Sequence, residues 1–405
     1  MATFQGTTSS TTLDTRQRIP SFSDALTRLM PNGVSPLYLL MSKMGEGIAV
    51  QVEHGYWTET VPFPAMTLNA AVADGVATTF TVLSTADVVP GSTFRAASTG
   101  EIVRIETVPN GTSVTVTRGV GNVAAAAIGN TVKLYQVGSA FEEASTRPTA
   151  QRMQQTYTSN YTQIFRNAWA ASDTVRSLQY FQQAGGNPVG KDKQDGAMIH
   201  ARDIETALWW GQKFMGTKNG QPFHTMDGVE STIRTLAPAA NITTAGATTN
   251  YTQLETAFDP VFNTITSMQS GNSRLLFVGA QSRKVINAIG RLNGQYQLLD
   301  GQTSFGLQFQ RFKITRGEFI MIEHPLFNSN TDWAKNAFAV DLNVMRLMYL
   351  TGRKTRHDAF GINGQISTDN GLDAVGGVYT SELTMECVNP SAFGVMYNMT
   401  AGAAG

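Results

Sequence analysis

Cysteine is almost absent from this 405-residue chain, in which Cys387 stands alone. A single cysteine excludes an internal disulfide framework, and no Cys-x-x-Cys pair or Cys/His cluster indicates a zinc site. Long apolar runs are absent too, since no stretch approaches the roughly 18 apolar residues of a membrane-spanning helix. The N-terminal sequence MATFQGTTSSTTLDTRQRIP lacks the basic and apolar regions of a secretion signal. We therefore expect a chain that folds with reduced cysteine and makes no contact with a membrane.

Charge is scarce and balanced. Charged residues make up 15% of the chain, where about a quarter is usual, and 30 basic residues offset 30 acidic ones. A net charge of zero creates no overall field that would attract nucleic acid or an anionic membrane. Crowded copies of a neutral chain also repel one another little, so this composition permits dense packing against many neighbours.

The chain offers few groups for catalysis or metal binding. No histidine has a second histidine at ligand spacing among the five present: His54, His200, His224, His324 and His357. We predict that His200 is a hydrogen-bonded surface or interface histidine rather than a ligand. Gly190-Lys191 lacks the other residues of a phosphate-binding loop, and the pair Asp369 and Asp373 lacks the distal glutamate of a calcium loop. The sequence therefore predicts no cofactor, no metal and no catalytic residue.

A small all-β module is predicted over residues 66–138. Its four alternating segments, TTFTVLS, EIVRIETV, TSVTVTR and TVKLYQV, are separated by glycine, proline and asparagine. The stretch TGEIVRIETVPNGTSVTVTRGVG, residues 99–121, predicts a hairpin that turns at Pro109-Asn110-Gly111-Thr112. Before the module, Ile48, Val50 and Val52 alternate with other residues, which predicts an extended segment or a long two-stranded loop over residues 47–61.

The clearest helix is predicted over residues 192–215. Small and apolar side chains recur along one stripe: Ala197, Ala201, Ile204, Leu208 and Met215. The other face carries Arg202, Asp203 and Glu205. At 1.5 Å per residue such a helix spans about 36 Å, which is long for an ordinary domain and suits a structural spine.

Two adjacent tryptophans, Trp209 and Trp210, lie near the end of this helix. Adjacent helical positions differ by about 100°, so both indoles cannot face the same core. We expect one of them to contact another element or another subunit. The alternative is a core that wraps most of the helix.

The rest of the chain alternates between helices and strands, which predicts an α+β fold. A short helix is predicted at DALTRLM (24–30), and further helices near 251–268 and 282–289. The predicted strands are RLLFVGA, LQFQRFKI, EFIMIEH, AFAVDL, VMRLMYL, VYTSELTMECVN and AFGVMYNM. No fixed-period repeat is present, which disfavours a solenoid or a propeller.

Five stretches of the sequence carry a resemblance to a known family: TGEIVRIETV…TVTRGVG, GSAFEEAS, NYTQIFRNAWAASDT, ARDIETALWWG and GGVYTSELTMECVNPSAFGVMYNM. With the order of the elements, they resemble the major capsid proteins of tailed bacteriophages, which have the Hong Kong ninety-seven-like fold. The sequence is similar in particular to the branch whose extension loop carries a β-rich insertion. These stretches cover about 45–220 and 375–400, whereas 220–370 matches only in its alternation of elements.

The resemblance implies an organisation of the chain in five parts. They are an N-terminal arm with a short helix (1–45), an extension loop (46–65 and 139–150), the β-rich insertion (66–138), a peripheral domain with the spine helix (151–225 and 351–405) and an axial domain (226–350). It also implies a non-enzymatic subunit of homo-hexamers and homo-pentamers, which tile an icosahedral shell around the phage genome. Such a subunit lies in the virion capsid, is assembled in the bacterial host cytoplasm and has a portal protein as a partner.

The extension loop of this family lies across a neighbouring subunit, which implies contacts on the loop, the insertion and the spine helix. We expect subunit contacts at Glu53, Tyr56, Trp57, Glu59, Arg104, Arg118, Glu142, Glu143, Arg202, Asp203, Glu205 and Trp210. Arg16 and Arg18 on the arm would give only weak, salt-sensitive contact with packaged DNA.

One property of the family's founding member can be checked directly. There, a lysine of the extension loop forms an isopeptide bond with an asparagine of another subunit, whereas this chain has no lysine between Lys43 and Lys133. We therefore expect a shell held by non-covalent contacts or by a decoration protein. Since only about twenty residues precede the first predicted helix, we also expect a separate scaffold protein.

Two other protein classes fit the sequence less well. A phage tail-fibre or adhesin-type host-binding protein would use the β module as its binding face, but fibres usually lack a long spine helix and tend towards repeats. An enzyme is disfavoured because no nucleophile, base and orienting group can be assembled from the sequence.

Overall fold

The structure is a computed structural model that describes residues 35–403 except 60, 62, 149, 178–187, 264–271, 293–301, 305–306 and 361–372. The chain forms two compact units. We call Met1–Tyr56 with Thr158–Gly405 the main unit, and Trp57–Tyr157 the inserted unit. The predicted helix at 24–30, Arg16, Arg18 and Asp369 lie outside the described residues.

Helices and strands are interspersed along the described residues, and both are numbered in chain order. The α-helices are α1 (Pro36–Met44), α2 (Asp173–Ser177), α3 (Pro188–Trp210), α4 (Val229–Leu236), α5 (Tyr251–Phe258) and α6 (Ala280–Leu292). The strands of the first part of the chain are β1 (Glu46–Ala49), β2 (Glu53–Glu59), β3 (Ala65–Thr67), β4 (Thr79–Thr81), β5 (Ser92–Ala96), β6 (Ile102–Asn110), β7 (Ser113–Thr117), β8 (Lys133–Ser139), β9 (Gln155–Tyr161) and β10 (Gln163–Ser172). The later strands are β11 (Phe214–Lys218), β12 (Gln221–Thr225), β13 (Ile242–Thr244), β14 (Ser273–Val278), β15 (Gln302–Ser304), β16 (Leu307–Ile314), β17 (Gly317–Glu323), β18 (Ala337–Val340), β19 (Met345–Leu350), β20 (Arg356–Phe360), β21 (Ala374–Cys387) and β22 (Gly394–Tyr397).

A five-stranded sheet in the main unit supports the long helix α3. Its order is β1-β19-β21-β10, and β20 pairs with the first part of β21. The long strand β21 runs antiparallel to β10 from Gln163↔Leu383 to Ser172↔Ala374. Gly196 of α3 lies over this sheet, where an added Cβ would be 3.5 Å from Trp169 and from Tyr379. These are ordinary van der Waals distances, so the helix packs directly on the sheet at this point.

A seven-stranded sheet forms the other part of the main unit. Its order is β13-β22-β18-β14-β17-β16-β15. The buried faces of α5 and α6 pack on it, and Phe258 of α5 lies 5.4 Å from Phe319 of β17 between ring centroids. One apolar cluster joins the two sheets, because Phe277 and Phe338 belong to the same core as Leu383.

Sheet membership differs from the predicted domain boundaries for two strands. β19 lies within the stretch assigned to the axial domain, but it belongs to the five-stranded sheet. β22 lies within the stretch assigned to the peripheral domain, but it belongs to the seven-stranded sheet. Alternation along a strand identifies a buried face, but it does not say which neighbour the strand pairs with.

The inserted unit contains a six-stranded sheet with the order β3-β8-β5-β6-β7-β4. All four predicted segments of the β module contain strands, and β6 and β7 form the predicted hairpin. The two edge strands are joined beyond their ends, since Leu68 forms a bridge with Val82 and Leu83 N donates to Thr67 O at 2.9 Å. The sheet is therefore closed like a barrel, and its core of Phe80, Phe94 and neighbouring side chains lies inside.

The long helix is present but is displaced from its predicted bounds. It runs over Pro188–Trp210 rather than 192–215. Gly211 ends it where the backbone is crowded, since an added Cβ would lie 2.5 Å from Ala207 O and from Met226 O. Met215, predicted on the buried stripe, lies in β11 and is 60% exposed.

Other bounds also differ from prediction. The helix predicted over 251–268 ends at Phe258 because Pro260 follows within two residues. The alternating segment 47–61 is broken into β1, which joins the five-stranded sheet, and β2, which pairs with β9. The partner strand of β2 is β9, Gln155–Tyr161, which follows the stretch 139–150 that the resemblance assigns to the extension loop.

Candidate functional site

The strands β2 and β9 form a two-stranded ribbon that exposes aromatic side chains. Trp57 is 64% exposed and Tyr157 is 49% exposed, and their ring centroids lie 5.0 Å apart. Glu59 at the end of β2 is also exposed. A two-stranded ribbon is only marginally stable by itself in water, and exposed tryptophan and tyrosine are enriched at protein interfaces. Among the sequence-predicted contacts, Trp57 and Glu59 are therefore placed on a surface that suits a partner.

The start of the ribbon is held by polar contacts within the main unit. Ser159 Oγ donates to Glu53 Oε1 at 2.5 Å, and Lys213 Nζ donates to Ser159 Oγ at 2.8 Å and lies 3.4 Å from Glu53. The hydrogen bond from Ser159, followed by Lys213, lowers the pKa of Glu53. Tyr56 is half-buried, and burial raises the pKa of its phenol far above the ordinary range. Glu53 and Tyr56 therefore have their main partners inside the subunit.

Arg104 of the inserted unit is the centre of a surface ion cluster. Its guanidinium donates to Glu106 and to Glu142 at 2.7 Å and to Ala140 O at 2.8 Å. The cluster thereby fastens the segment after β8 to the outer face of β6. Glu142 remains 68% exposed, and Glu143 is exposed too, so these two carboxylates are accessible to a partner.

Arg118 does not lie on the surface that the sequence suggested. Its side chain is 4% exposed and is paired at 2.6 Å with the fully buried carboxylate of Glu101. Burial would raise the pKa of Glu101, but hydrogen bonds from Arg118 and from the N–H groups of Ala126 and Gly119 lower it overall. Arg118 therefore stabilises the barrel from inside, and its guanidinium is bonded within the subunit rather than exposed as the sequence suggested.

The exposed face of α3 carries a polar cluster beside β10. Arg202 Nη2 donates to Asp203 Oδ1 at 3.0 Å, and Asn167 Nδ2 donates to Asp203 Oδ2 at 2.7 Å. His200 is buried and bonded to Asn167 Oδ1 and to Ser381 Oγ at 2.7 Å each. Arg202 and Asp203 lie on the surface as predicted. His200 has hydrogen-bond partners as predicted, but it lies inside rather than at the surface.

Glu205 is the clearest correction among the predicted contacts. The sequence placed it on the polar face of the helix, yet its carboxylate is fully buried. It accepts from Leu37 N at 2.9 Å, Tyr38 N at 2.7 Å and Trp209 Nε1 at 3.1 Å. Since Ser35 supplies no side-chain cap to α1, Glu205 satisfies the N–H groups that a cap would bind.

His324 completes this buried cluster. Leu326 N donates to His324 Nδ1 at 3.2 Å, which requires that nitrogen to be unprotonated. The ring proton therefore lies on Nε2, which donates to Glu205 Oε1 at 2.6 Å. Trp209 Nε1 also lies 2.9 Å from this nitrogen, but a protonated Nε2 cannot accept, so the indole N–H donates to Glu205 Oε1. Residues 37, 205 and 324 are far apart in the sequence, so no local pattern could have revealed the cluster.

The two tryptophans of α3 face different surroundings, as their spacing predicted. Trp209 is fully buried, with edge contacts to Phe277 and Phe327 at centroid distances of 5.0 and 4.9 Å. Trp210 is half-buried and stacks on Trp333 at 3.9 Å. Trp210 thus contacts another element of its own subunit.

One exposed feature was missed in the sequence. β11 and β12 form an isolated hairpin that carries Phe214 and Phe223 on its surface. The signal was present, because Asn219-Gly220 is the strongest short turn signature for a hairpin, and both residues have positive φ, 53° and 75°.

The described residues contain no group of three or more His, Cys, Asp or Glu side chains placed to hold a metal ion. No helix in the same part of the chain is long and apolar enough to cross a membrane. The features that the described residues expose to solvent are therefore polar clusters and aromatic patches.

Comparison with known proteins identifies the kind of assembly. The family described as SU10 major capsid protein matches residues 3–400, and the chain belongs to this family. It is 35% identical over 397 residues to the major capsid protein of Pseudomonas phage PaMx41, covering 95% of this chain and 94% of that protein. The predicted role as a phage major capsid protein that forms the capsid shell is confirmed, as is the α+β class of the fold.

Two solved structures from phages show a partial similarity to this chain. A chain from Mycobacterium phage Bobi has 8% sequence identity and a TM-score of 0.46, covering 96% of this chain and 98% of that chain. A chain from Gordonia phage Cozz has 12% identity and a TM-score of 0.46, covering 96% of this chain and 93% of that chain.

Proposed function

We propose that this capsid protein assembles into homo-hexamers and homo-pentamers that close an icosahedral shell, with the ribbon β2–β9 as a principal contact between subunits. The observation that carries the proposal is the exposure of Trp57 and Tyr157 on a ribbon whose base is fixed by Glu53, Ser159 and Lys213. Burying two such side chains against a neighbour is strongly favourable. A rigid base lowers the entropy cost of that contact.

Further partners and parts of the shell are proposed from the resemblance to phage major capsid proteins. The main unit supplies a peripheral domain built on the five-stranded sheet and an axial domain built on the seven-stranded sheet. The shell is held by non-covalent contacts, since the sequence lacks a lysine between Lys43 and Lys133. Portal, scaffold and decoration proteins are its further partners, and assembly takes place in the host cytoplasm. The subunit contacts packaged DNA weakly and has no enzymatic role.

Electron microscopy in negative stain and light scattering of the purified full-length chain test the proposal. Closed particles or rings tens of nanometres across are expected. Trp57→Ser is expected to reduce their yield without lowering the melting temperature, because Trp57 makes most of its contact outside the subunit. Leu83→Ser, which removes a side chain of similar exposure, 59%, from the barrel, is the matched control. A wild-type chain that stays a monomer at high concentration would contradict the proposal.

A further inference from the structure

The hairpin β11–β12 carries an exposed aromatic patch. Phe214 and Phe223 are 56% and 44% exposed, and their ring centroids lie 5.8 Å apart. Both rings lie over Gly216, where an added Cβ would come within 2.7 Å of Phe214 and 2.8 Å of Phe223. Any larger residue at position 216 would push the rings aside. We call Phe214, Gly216 and Phe223 the hairpin plate.

The opposite face of this hairpin is partly covered within the chain, through His224, whereas Met215 is 60% exposed. Met215 and His224 are paired across the two strands and lie on the face opposite to the plate. The His224 ring packs on Tyr161 at a centroid distance of 5.5 Å, and the Lys213 ammonium lies 4.6 Å from the same tyrosine ring. The hairpin is therefore supported from one side, and the plate remains as a preformed surface on the other.

Two lysines lie close to the hairpin plate in the sequence. Lys213 and Lys218 occur between residues 212 and 226, and this stretch contains no aspartate or glutamate. Lys213 already neutralises Glu53, whereas Lys218 next to the turn is exposed. A partner that fits this surface presents an apolar, aromatic patch with a carboxylate at its rim.

The chain itself carries such a patch. Apart from the plate, the exposed aromatic side chains of the described residues all lie in the inserted unit: Trp57, Phe63, Tyr135, Phe141 and Tyr157. Only Trp57 and Tyr157 are paired on one short sheet whose strands contain acidic residues and no lysine or arginine. Since Glu53 is paired with Lys213, the exposed Glu59 is the carboxylate available there.

We propose that the hairpin plate of one subunit docks on Trp57 and Tyr157 of a second copy of this chain, with Lys218 and Glu59 paired at the rim. The two patches are different surfaces of one chain, so the contact is heterologous and can repeat from copy to copy around a ring. Aromatic anchors that exclude water are the side chains that dominate such interfaces. The inference rests on the proposed shell assembly. It names the surface of the neighbouring subunit that the ribbon β2–β9 contacts.

A photo-cross-linking experiment identifies what covers the plate. The full-length chain is made with p-benzoylphenylalanine in place of Phe223, as a mixture of ¹⁵N-labelled and unlabelled copies, and particles are irradiated after assembly. Mass spectrometry is expected to find position 223 joined to β2 or β9, in pairs of one labelled and one unlabelled chain. p-Benzoylphenylalanine in place of Leu83, on the barrel, is the control. Any cross-link from position 83 would report only that subunits are crowded in the particle.

Two classes of outcome overturn the inference. Particles in which position 223 is joined only to its own chain, to a different protein or to nothing contradict it. Microscopy of the same samples shows separately whether particles form at all. If the unmodified chain forms none, the proposed shell assembly fails and the docking contact fails with it, whereas intact particles without the cross-link exclude the docking contact alone.

Charge reversal supplies an independent test of the rim pair. Lys218→Glu and Glu59→Lys alone are each expected to raise the subunit concentration needed for assembly several-fold, and the double variant is expected to restore it. Lys133→Glu changes the net charge equally at an exposed site of the barrel and is the control. Phe214→Ser with Phe223→Ser is expected to raise the same concentration at least about tenfold. A double charge reversal no better than the single ones contradicts the pairing.

Discussion

The carboxylate of Glu205 accepts a hydrogen bond of 2.6 Å from Nε2 of His324, and both side chains are fully buried. The same carboxylate also accepts the N–H groups at the start of α1. One side chain of the long helix thus fastens the first described helix and the turn after β17 to the core. A buried carboxylate is tolerated at this position because its oxygens are bonded to several donors.

Glu205→Gln is expected to lower the free energy of unfolding by about 3 kcal/mol, because the amide is neutral and its NH₂ group would face donors. Urea unfolding followed by tryptophan fluorescence measures the effect, since Trp209 contacts this carboxylate. Glu142→Gln, at a side chain that is 68% exposed, is the control and is expected to change stability by less than about 0.5 kcal/mol. Equal urea midpoints for Glu205→Gln and Glu142→Gln would show that the buried Glu205 cluster stabilises the fold no more than an exposed carboxylate does.

Stability is expected to fall as the pH decreases below about 6.5, the ordinary pKa of histidine. Burial lowers the pKa of His200 in the folded protein, although Asp203 opposes the effect. Burial, together with Lys193, lowers the pKa of His357 as well. Just below pH 6.5 the unfolded chain therefore binds more protons than the folded chain, so stability is lost as the pH falls towards the folded pKa values and not as it rises.

Unfolding curves between about pH 5.5 and 7.5 measure this slope, which reaches at most about 1.4 kcal/mol per pH unit for each histidine. His200→Gln is expected to flatten it, because glutamine does not titrate. The comparison uses the slope and not the absolute stability, since the substitution also changes packing. If His200→Gln keeps the wild-type slope of stability against pH, groups other than His200 cause the pH dependence.

Arg118→Met is expected to destabilise the barrel locally by about 3 kcal/mol or more, because it leaves the Glu101 carboxylate buried without its cation. Hydrogen exchange of the full-length protein, read on β5 to β7, is the suitable measurement, since it reports local opening. Exchange there is expected to accelerate by two orders of magnitude or so, while the sheets of the main unit keep their protection. Arg95→Met, an exposed arginine of the same barrel, is the control and is expected to leave exchange unchanged.

Removal of Ala65–Tyr135 with a two-glycine linker is expected to leave the main unit folded. Its two apolar clusters contain no side chain from the barrel. The cut ends are close, because Gln136 N donates to Pro64 O at 3.0 Å. Circular dichroism and hydrogen exchange of the main-unit strands check the result. Loss of protection throughout α3 and β21 would mean that the barrel is needed for the fold of the remainder.

Local patterns predicted the elements well where short-range signals decide the structure. The hairpin β6–β7 follows from alternation and from the turn at Gly111, and α3 follows from its apolar stripe. The end of α3 was missed because part of the crowding at Gly211 comes from Met226, which lies outside the helix. Helical periodicity shows which face a residue occupies, but not whether a polar residue on it finds buried donors.

The candidate site could be predicted only in part for the same reason. Trp57 and Glu59 were found because they lie on an extended, polar segment, and the structure leaves them exposed. Glu205 and Arg118 were misplaced because their partners come from other elements: His324 in one case, Glu101 in the other. Phe214 and Phe223 were missed because the predicted helix was extended to residue 215, which covered the start of the first strand before the turn at Asn219-Gly220.

The bridge between Leu68 and Val82 has a consequence for how the chain behaves when many copies accumulate at once. A sheet whose first and last strands bond to each other has no free row of N–H and C=O groups for a stray strand to join. The barrel therefore gives newly made chains no template for fibre growth. Copies of this chain can therefore become crowded without pairing strands with one another at the barrel. Barrels associate instead through complementary side-chain surfaces.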